Sequence, residues 1–372
     1  MIDFVRLGAI ARKEWIQLRR DPRSMALAFA LPLFLLLFFG YAISWDVDDI
    51  RLVVLDRDHT PASRSLAQAL VSSGYFTITE HVASEREAAD RLTRGAARAA
   101  LVVPPDFERQ LKSGARAPVQ LLLDGSDANT ATIAMNYADA IVTRFSARAL
   151  LRGRTIQLPL RLESRVWYNP ELESRIMIVP GLIALIMSII AALLTALTVA
   201  REWERGTMEQ LAATPVSRVE VILGKLVPYL GIGLFDVAIT VAAGMLIFDT
   251  PLRGSPLLLA GMTFLFLTGA LGFGIFISAA VKSQVLATQL AMISTYLPAV
   301  LLSGFLYDIA SMPIALRTLT FFIPARYFVT VTRGIFLKGV GLAVLWPDAL
   351  LMIAFATLGL GLAVKMFRKE IG

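Results

Sequence analysis

The chain has 372 residues, 56% of them hydrophobic and only 17% charged, with a mean hydropathy of +0.65. Soluble domains carry about 25% charged residues, so this composition excludes an ordinary soluble protein and points to a polytopic membrane protein. The formal charge of +7 does not indicate a nucleic-acid partner, because the basic residues gather beside apolar runs, where the positive-inside rule places them. Cysteine is absent and His59 and His81 are the only histidines, which excludes a disulfide framework, a thiol nucleophile, a cysteine-based metal site and a convincing histidine cluster.

Residues 1–23 read as an amphipathic helix. Phe4, Leu7, Ala11, Trp15 and Leu18 fall on one stripe, with Arg12, Lys13, Arg19 and Arg20 off it. Such a helix lies in the membrane interface and meets anionic lipid headgroups. The apolar run at 24–44 is too long for a cleaved signal and reads as a retained anchor and first span.

Residues 45–175 are polar and of domain size. Short apolar runs at 52–55, 75–79, 100–103 and 119–123 read as strands. They alternate with helical patterns at 62–73, 84–94, 105–113 and 127–150, which predicts a small α/β domain.

Five further apolar segments follow, at 176–200, 226–248, 256–281, 285–307 and 345–367. Lys and Arg cluster in the N-terminal flank, in residues 201–225, at Lys282 and in the C-terminal tail. With six spans all four regions fall on the cytoplasmic side, with both termini inside and the α/β domain outside. Residues 308–344 are apolar but broken by Pro313, Pro324, Gly334, Gly339 and Gly341. They predict two short helices dipping into the outer leaflet, with Met312, Pro313, Pro324, Arg326, Tyr327 and Arg333 as candidate site residues. An ordinary structured outer loop is the alternative. The predicted fold is thus an α-helical polytopic membrane protein with six transmembrane helices, one plus five. It carries an inserted extracytoplasmic α/β domain and an N-terminal interfacial helix.

The charged island between the second and third spans, residues 201–225, has a logic of its own. Glu202 and Glu204 extend the second span beyond the membrane. Gly206 permits a sharp turn. Thr207, with Gln210 three residues on, fits a capping box that starts a short helix, and Thr214-Pro215 ends it. Gly224-Lys225 invites comparison with a phosphate loop, but Val219 stands where the first glycine is required and Leu226 where Ser or Thr is required. The match fails, and no nucleotide site is visible. Glu202 and Glu204 have no nucleophile or metal ligand beside them to make a catalytic dyad. Asp236 falls in mid-span, where an ionisable group is either a functional candidate or a hydrogen-bonded structural carboxyl. Gly269, Gly272 and Gly274, with Ala291, Ser294 and Ala299, are small residues that permit close helix packing.

The run from Arg201 to Lys225, R-E-W-E-R-G-T-M-E-Q-L-A-A-T-P-V-S-R-V-E-V-I-L-G-K, resembles the second cytoplasmic element of ABC-2-type transport permeases. The likeness is to bacterial multidrug-type permeases with a large loop after the first span. It extends to Tyr168-Asn169-Pro170, Pro180-Gly181, Ser303-Gly304-Phe305, Met312-Pro313, Pro324-Ala325-Arg326-Tyr327-Phe328, Arg333-Gly334 and Lys338-Gly339. It departs at Tyr307-Asp308-Ile309, where relatives tend to carry a proline. The resemblance implies an export permease in the bacterial inner membrane that pairs with itself or a similar permease. It implies docking of a cytoplasmic ABC ATP-binding subunit, which holds ATP and Mg, so the permease has no cofactor, metal or catalytic residue of its own. It also implies a periplasmic adaptor of the membrane-fusion type. Glu202, Glu204, Arg205, Gly206, Thr207, Met208, Glu209, Leu211, Thr214 and Pro215 would form the coupling surface, with the N-terminal helix as a second contact. The substrate would be lipophilic, a drug or lipid-like molecule. Two other readings stand beside this one. The first is a non-transporting receptor or scaffold whose external domain binds a ligand or protein. The second is a secondary transporter, which the lack of intramembrane charge pairs disfavours.

Overall fold

The computed structural model describes residues 3–43, 49–126, 128–150, 168 and 173–367. Asn169-Pro170 and the basic residues Arg368 and Lys369 lie outside the described residues. The chain divides into two compact units, Trp45–Ser164 and the remainder.

In the larger unit, α1 spans Phe4–Arg19, and Asp3 caps it by accepting from the Val5 N–H at 2.9 Å. Residues 22–42 then form a helix in three pieces, α2: Pro22–Met25, a widened π turn at Ala26–Ala30, and Leu31–Ala42. The π turn has a cause in the sequence. The ring of Pro32 cannot accept a normal turn at residue 28, four positions back, and the wider turn relieves it.

The smaller unit is a four-stranded sheet of β1 (Ile50–Asp56), β2 (Phe76–His81), β3 (Ala99–Val103) and β4 (Gln120–Leu123). Helices α3 (Pro61–Val71), α4 (Glu85–Thr93), α5 (Phe107–Ser113) and α6 (Ala128–Leu150) follow the strands in turn. The strand order is β2-β1-β3-β4, with β4 antiparallel to β3 and the other pairs parallel. Leu52, Val54, Leu101 and Val103 are buried in one core and Val53, Leu55, Ala100 and Val102 in another. β1 and β3 therefore bury both faces, which explains why they are continuous apolar runs rather than alternating ones. The α/β character expected from the sequence is present.

The larger unit resumes with α7 (Ser174–Glu204), the short α8 (Met208–Ala212), α9 (Arg218–Ile247), α10 (Pro256–Val281) and α11 (Gln284–Leu302). The bent pair α12 (Ile314–Phe322) and α13 (Pro324–Lys338) and then α14 (Leu342–Met366) complete it. Among the described residues five helices, α7, α9, α10, α11 and α14, are long and apolar enough to cross a membrane, and the bent pair raises the number to six if it counts as one span. The first predicted span falls on α2, whose apolar part is Ala28–Ala42, shorter than the five spans above. That part is about 22 Å long and the whole of Pro22–Ala42 about 31 Å, against a hydrocarbon core of about 30 Å.

α7 is the central helix. Of its most apolar stretch 78% is buried, against 17% for α11, which lies at the periphery. α10 and α14 pack closely because glycine meets glycine. A Cβ on Gly272 would come 2.9 Å from the Gly359 carbonyl carbon, and one on Gly359 would come 2.6 Å from the Gly269 oxygen. Gly274 leaves the same kind of room for Thr195 of α7.

The helices of the larger unit alternate between two ends. At one end lie α1, the end of α7, α8, the start of α9 and the turn Lys282–Gln284 between α10 and α11. At the other, the loop after α9 meets the bent pair, with Arg253 and Gly254 N–H groups donating to the carbonyls of Phe336 and Ile335 at 3.1 and 2.9 Å. The end of α2 lies there too, its Tyr41 ring 5.0 Å from Phe248.

Candidate functional site

α7 continues beyond its apolar part to Glu204, and the chain then reverses at Gly206, whose φ of +70° is a left-handed conformation that suits glycine. The five-residue α8 follows. Met208 anchors it at 2% exposure, while Glu209 and Gln210 are exposed. The capping box expected at Thr207 and Gln210 does not form. Thr207 has helical backbone angles (φ −75°, ψ −11°), whereas a cap needs extended ones, and its hydroxyl donates instead to the Glu202 carbonyl at 3.4 Å. The capping box lies ten residues on, at Ser217 and Glu220, where it starts α9. Thr214 closes α8 by donating to the Leu211 carbonyl at 2.7 Å.

At the same end of the bundle lies a buried ionic cluster that links three segments distant in sequence. Lys225, 1% exposed at the start of α9, places its ammonium 2.8 Å from Glu14 of α1 and 2.9 Å from Glu202 of α7. Lys13 reaches Glu202 at 2.5 Å from the rim. Two cations and two carboxylates balance, so the burial leaves no net charge, which is the condition for tolerating it. Arg201 pairs with Asp21 at 3.0 Å. The Asp3 N–H donates to Glu220 at 2.7 Å, and Arg6 donates to the Pro215 carbonyl at 2.5 Å. Gly224 allows the approach, since a Cβ there would stand 2.8 Å from Ile10.

α1 therefore buries Ile10, Glu14 and Leu18 against the bundle. The expected apolar stripe is partly displaced from that face: Leu18 is buried, but Phe4 and Trp15 are 81% and 49% exposed. The glutamate on the inner face is the reason, because Glu14 follows Lys225 inward.

On the far side, Glu204 accepts from the backbone N–H of Gln284 at 2.7 Å and from its side-chain amide, and the Lys282 ammonium lies 4.0 Å over the Trp203 ring. The island is thus fixed on both flanks. Between α1 and the ends of α7 and α11 opens a cleft of about 960 Å³, with Lys13, Arg20, Arg201, Arg205 and Asp21 among its walls.

Of the residues singled out in the island, Glu204, Arg205, Gly206, Thr207, Glu209 and Pro215 are exposed, and Leu211 and Thr214 are half-buried. Glu202 and Met208 are buried and belong to the base rather than the surface, because one is ion-paired and the other fills the core. Glu14 was not singled out from the sequence, Lys13 figured only as a basic residue off the apolar stripe, and Lys225 only in the failed phosphate-loop match. The available signals were a lysine opening an apolar helix and a glutamate in line with Ile10 and Leu18.

The remaining candidates stand apart from this cluster. Asp236 is 1% exposed within α9, and neither carboxylate oxygen has a hydrogen-bond partner among the described residues. Met312 is half-buried and Pro313 exposed, just before α12. α12 and α13 meet at 84°, with Pro324 at the first turn of α13, where its missing N–H is no loss. Arg326 donates to Thr320 and stacks 4.1 Å over Phe321, and the Tyr327 hydroxyl donates to the Phe321 carbonyl at 2.6 Å. Arg333 donates to the carbonyls of Gly304 and Phe305 at 3.0 and 3.1 Å. These contacts hold the bend shut with side chains where backbone pairing is broken.

A profile of the family described as ABC-2 family transporter protein matches residues 23–365. The chain belongs to the ABC-2 transporter family. This ABC-2 permease is 37% identical over 97% of its length to the probable multidrug ABC transporter permease YbhS of Escherichia coli, covering 96% of that protein. It is 34% identical over 99% of its length to the probable multidrug ABC transporter permease YbhR of the same organism, covering all of it. The linearmycin resistance permease protein LnrN of Bacillus subtilis is 22% identical over 94% of this chain and 96% of its own.

Proposed function

We propose that this ABC-2 permease is the transmembrane subunit of an ATP-driven exporter in the bacterial inner membrane. Its cargo is lipophilic, a drug or lipid-like molecule. A separate ATP-binding subunit, holding ATP and Mg, docks on α8. The observation that carries this reading is the exposed face of α8, joined through short turns to α7 and α9, whose ends a buried, charge-balanced cluster ties to each other and to α1. A push on α8 is passed to three helices at once, because none of them can move without breaking a buried ion pair. The multidrug and resistance names of the relatives support the lipophilic cargo. Arg6, Arg12, Arg201, Arg205, Arg218 and Lys282 crowd the α8 end of the bundle, which supports a cytoplasmic setting for that end. A second permease copy, or a similar permease, completes the pathway. An adaptor on the opposite side of the membrane and the surrounding lipids are further partners.

The test is co-purification with the ATP-binding subunit and transport by the pair. Glu209→Arg, on the exposed face, and Gly206→Pro, at the turn, are expected to lower both. Unchanged recruitment and unchanged transport in both variants would sink the docking assignment. The compact α/β unit supports a second reading, a receptor or scaffold. Full transport after deletion of residues 50–150, with loss of some other phenotype, would favour it.

A further inference from the structure

A partly open chamber of about 210 Å³ lies within the helical unit, far from α8. Five elements meet around it near the middle of each helix: α7, α10, α11, α14 and the elbow between α12 and α13. The floor is buried and is made by Ser188, Phe266, Ala270, Ala325 and Gly359. The rim is exposed at Ser294, Phe322 and Leu358. Four phenylalanines contribute, Phe266, Phe273, Phe322 and Phe355, and no wall residue is charged.

The chamber's three hydroxyls are already engaged. Ser188 donates to the Ala184 carbonyl at 2.7 Å, Ser294 to Leu290 at 2.6 Å and Thr295 to Ala291 at 2.6 Å. A ligand finds no charge to pair with and no free hydroxyl hydrogen to accept. An anionic guest would therefore lose its hydration without return, since phenylalanine faces are themselves electronegative, whereas an apolar one loses nothing. Apolar cavities of about 150 Å³ remain dry and take up a benzene-sized guest, so this volume suits one or two rings.

Two backbone irregularities are gathered at the same place. Ser294 and Thr295 sit on a π turn, Met292–Tyr296, and such turns recur at functional sites. Pro298, which also lines the chamber, requires it, because its ring would crowd the carbonyl of residue 294. The opposite wall is the 84° elbow at Phe322, Ile323 and Pro324. The chamber is thus walled by two places where helix geometry is broken beside a proline and can change with little loss of backbone bonding.

We propose that this chamber is a binding site, within a single chain, for a neutral apolar molecule bearing one or two aromatic rings. The ligand enters from the bilayer past Ser294 and Phe322 and stacks among the four phenylalanines. The proposal does not depend on export, since binding is measured without an ATP-binding subunit.

The experiment uses the full chain in neutral phosphatidylcholine vesicles, with trifluoromethyl-phenyl-diazirine as a photoreactive probe. Labelled peptides are mapped by mass spectrometry, with naphthalene and the anion naphthalene-2-sulfonate as competitors. Saturable labelling within residues 266–273, 294–298 or 322–325 is expected, displaced by naphthalene but not by the anion. Ser294→Phe fills the mouth from an exposed position and is expected to lower labelling about tenfold, or about 1.4 kcal/mol. Ser294→Ala, which leaves the mouth open, is expected to retain it, and Ala270→Leu gives a second filling from the floor. Labelling that does not saturate and spreads over all lipid-facing helices would overturn the proposal. So would undiminished labelling in a filled variant that remains monodisperse, or equal displacement by the anion.

Discussion

At the level of single residues, the lysine at 225 carries most of the argument. It is 1% exposed, yet it lies between two carboxylates supplied by helices about 200 residues away on one side and about 20 on the other. Removing one member of such a cluster strands the others without water. Lys225→Met is therefore expected to destabilise the helical unit by about 3–5 kcal/mol, read as a lowered midpoint of thermal unfolding in detergent. The triple change Glu14→Gln, Glu202→Gln and Lys225→Met leaves only Lys13 without a carboxylate, and that ammonium is half-exposed at the rim, so it is expected to cost less than the single change. A triple variant less stable than Lys225→Met would show that the charges themselves, and not their balance, hold the base together. Failure to recognise this cluster from sequence has a plain cause. Lys225 and Glu14 are 211 positions apart, and no local periodicity links them. Gly224-Lys225 is visible as a motif, but its meaning is a close approach to Ile10 and a buried cation, which only the third dimension supplies.

Among the elements, the α/β unit was the most legible. Its strands alternate with helices and carry turn residues between them, and β1 and β3 are apolar on both faces because both are covered. Helix starts were less legible. Both Thr207 and Ser217 fit a cap by residue type, with Gln210 and Glu220 three residues on, and only backbone angles separate them. Ser217→Ala is expected to cost about 1 kcal/mol, seen as faster amide exchange in the first turn of α9, while Thr207→Ala leaves that turn unchanged.

The α/β unit also has an acid-sensitive joint. Asp58 accepts from the Thr60 hydroxyl and from the Glu108 N–H at 3.0 Å, and these bonds, the hydroxyl first, hold its carboxyl below the usual range. With the folded value depressed, its contribution is complete above the unfolded value of about 3.9 and is lost as pH falls through the folded value. Amide exchange at the start of α5 is expected to quicken on that acid side. In Asp58→Asn this part of the pH dependence is expected to vanish. Persistence of the same acid-side change in the variant would assign it to another group.

For the whole molecule, composition and apolar run length announced a membrane protein, and the bundle with its central α7 follows from them. What they did not disclose is which helices touch. The glycine contacts of α10 with α14, and the elbow at Pro324, depend on pairings that a single sequence does not encode locally. The same limit applies to the island, whose charged residues looked alike until the bundle sorted them into a buried base and an exposed face.

The central claim, that this face receives the ATP-binding subunit, is open to one direct measurement. The chain has no cysteine, so single sites can be placed at will. Glu209→Cys on α8 and Tyr307→Cys at the opposite end of the bundle are both at exposed positions. Each is coupled to maleimide-benzophenone and photolysed in membranes containing the ATP-binding subunit. The account predicts a cross-linked product with that subunit from position 209 and none from position 307. No product from 209, or equal products from both, would contradict it.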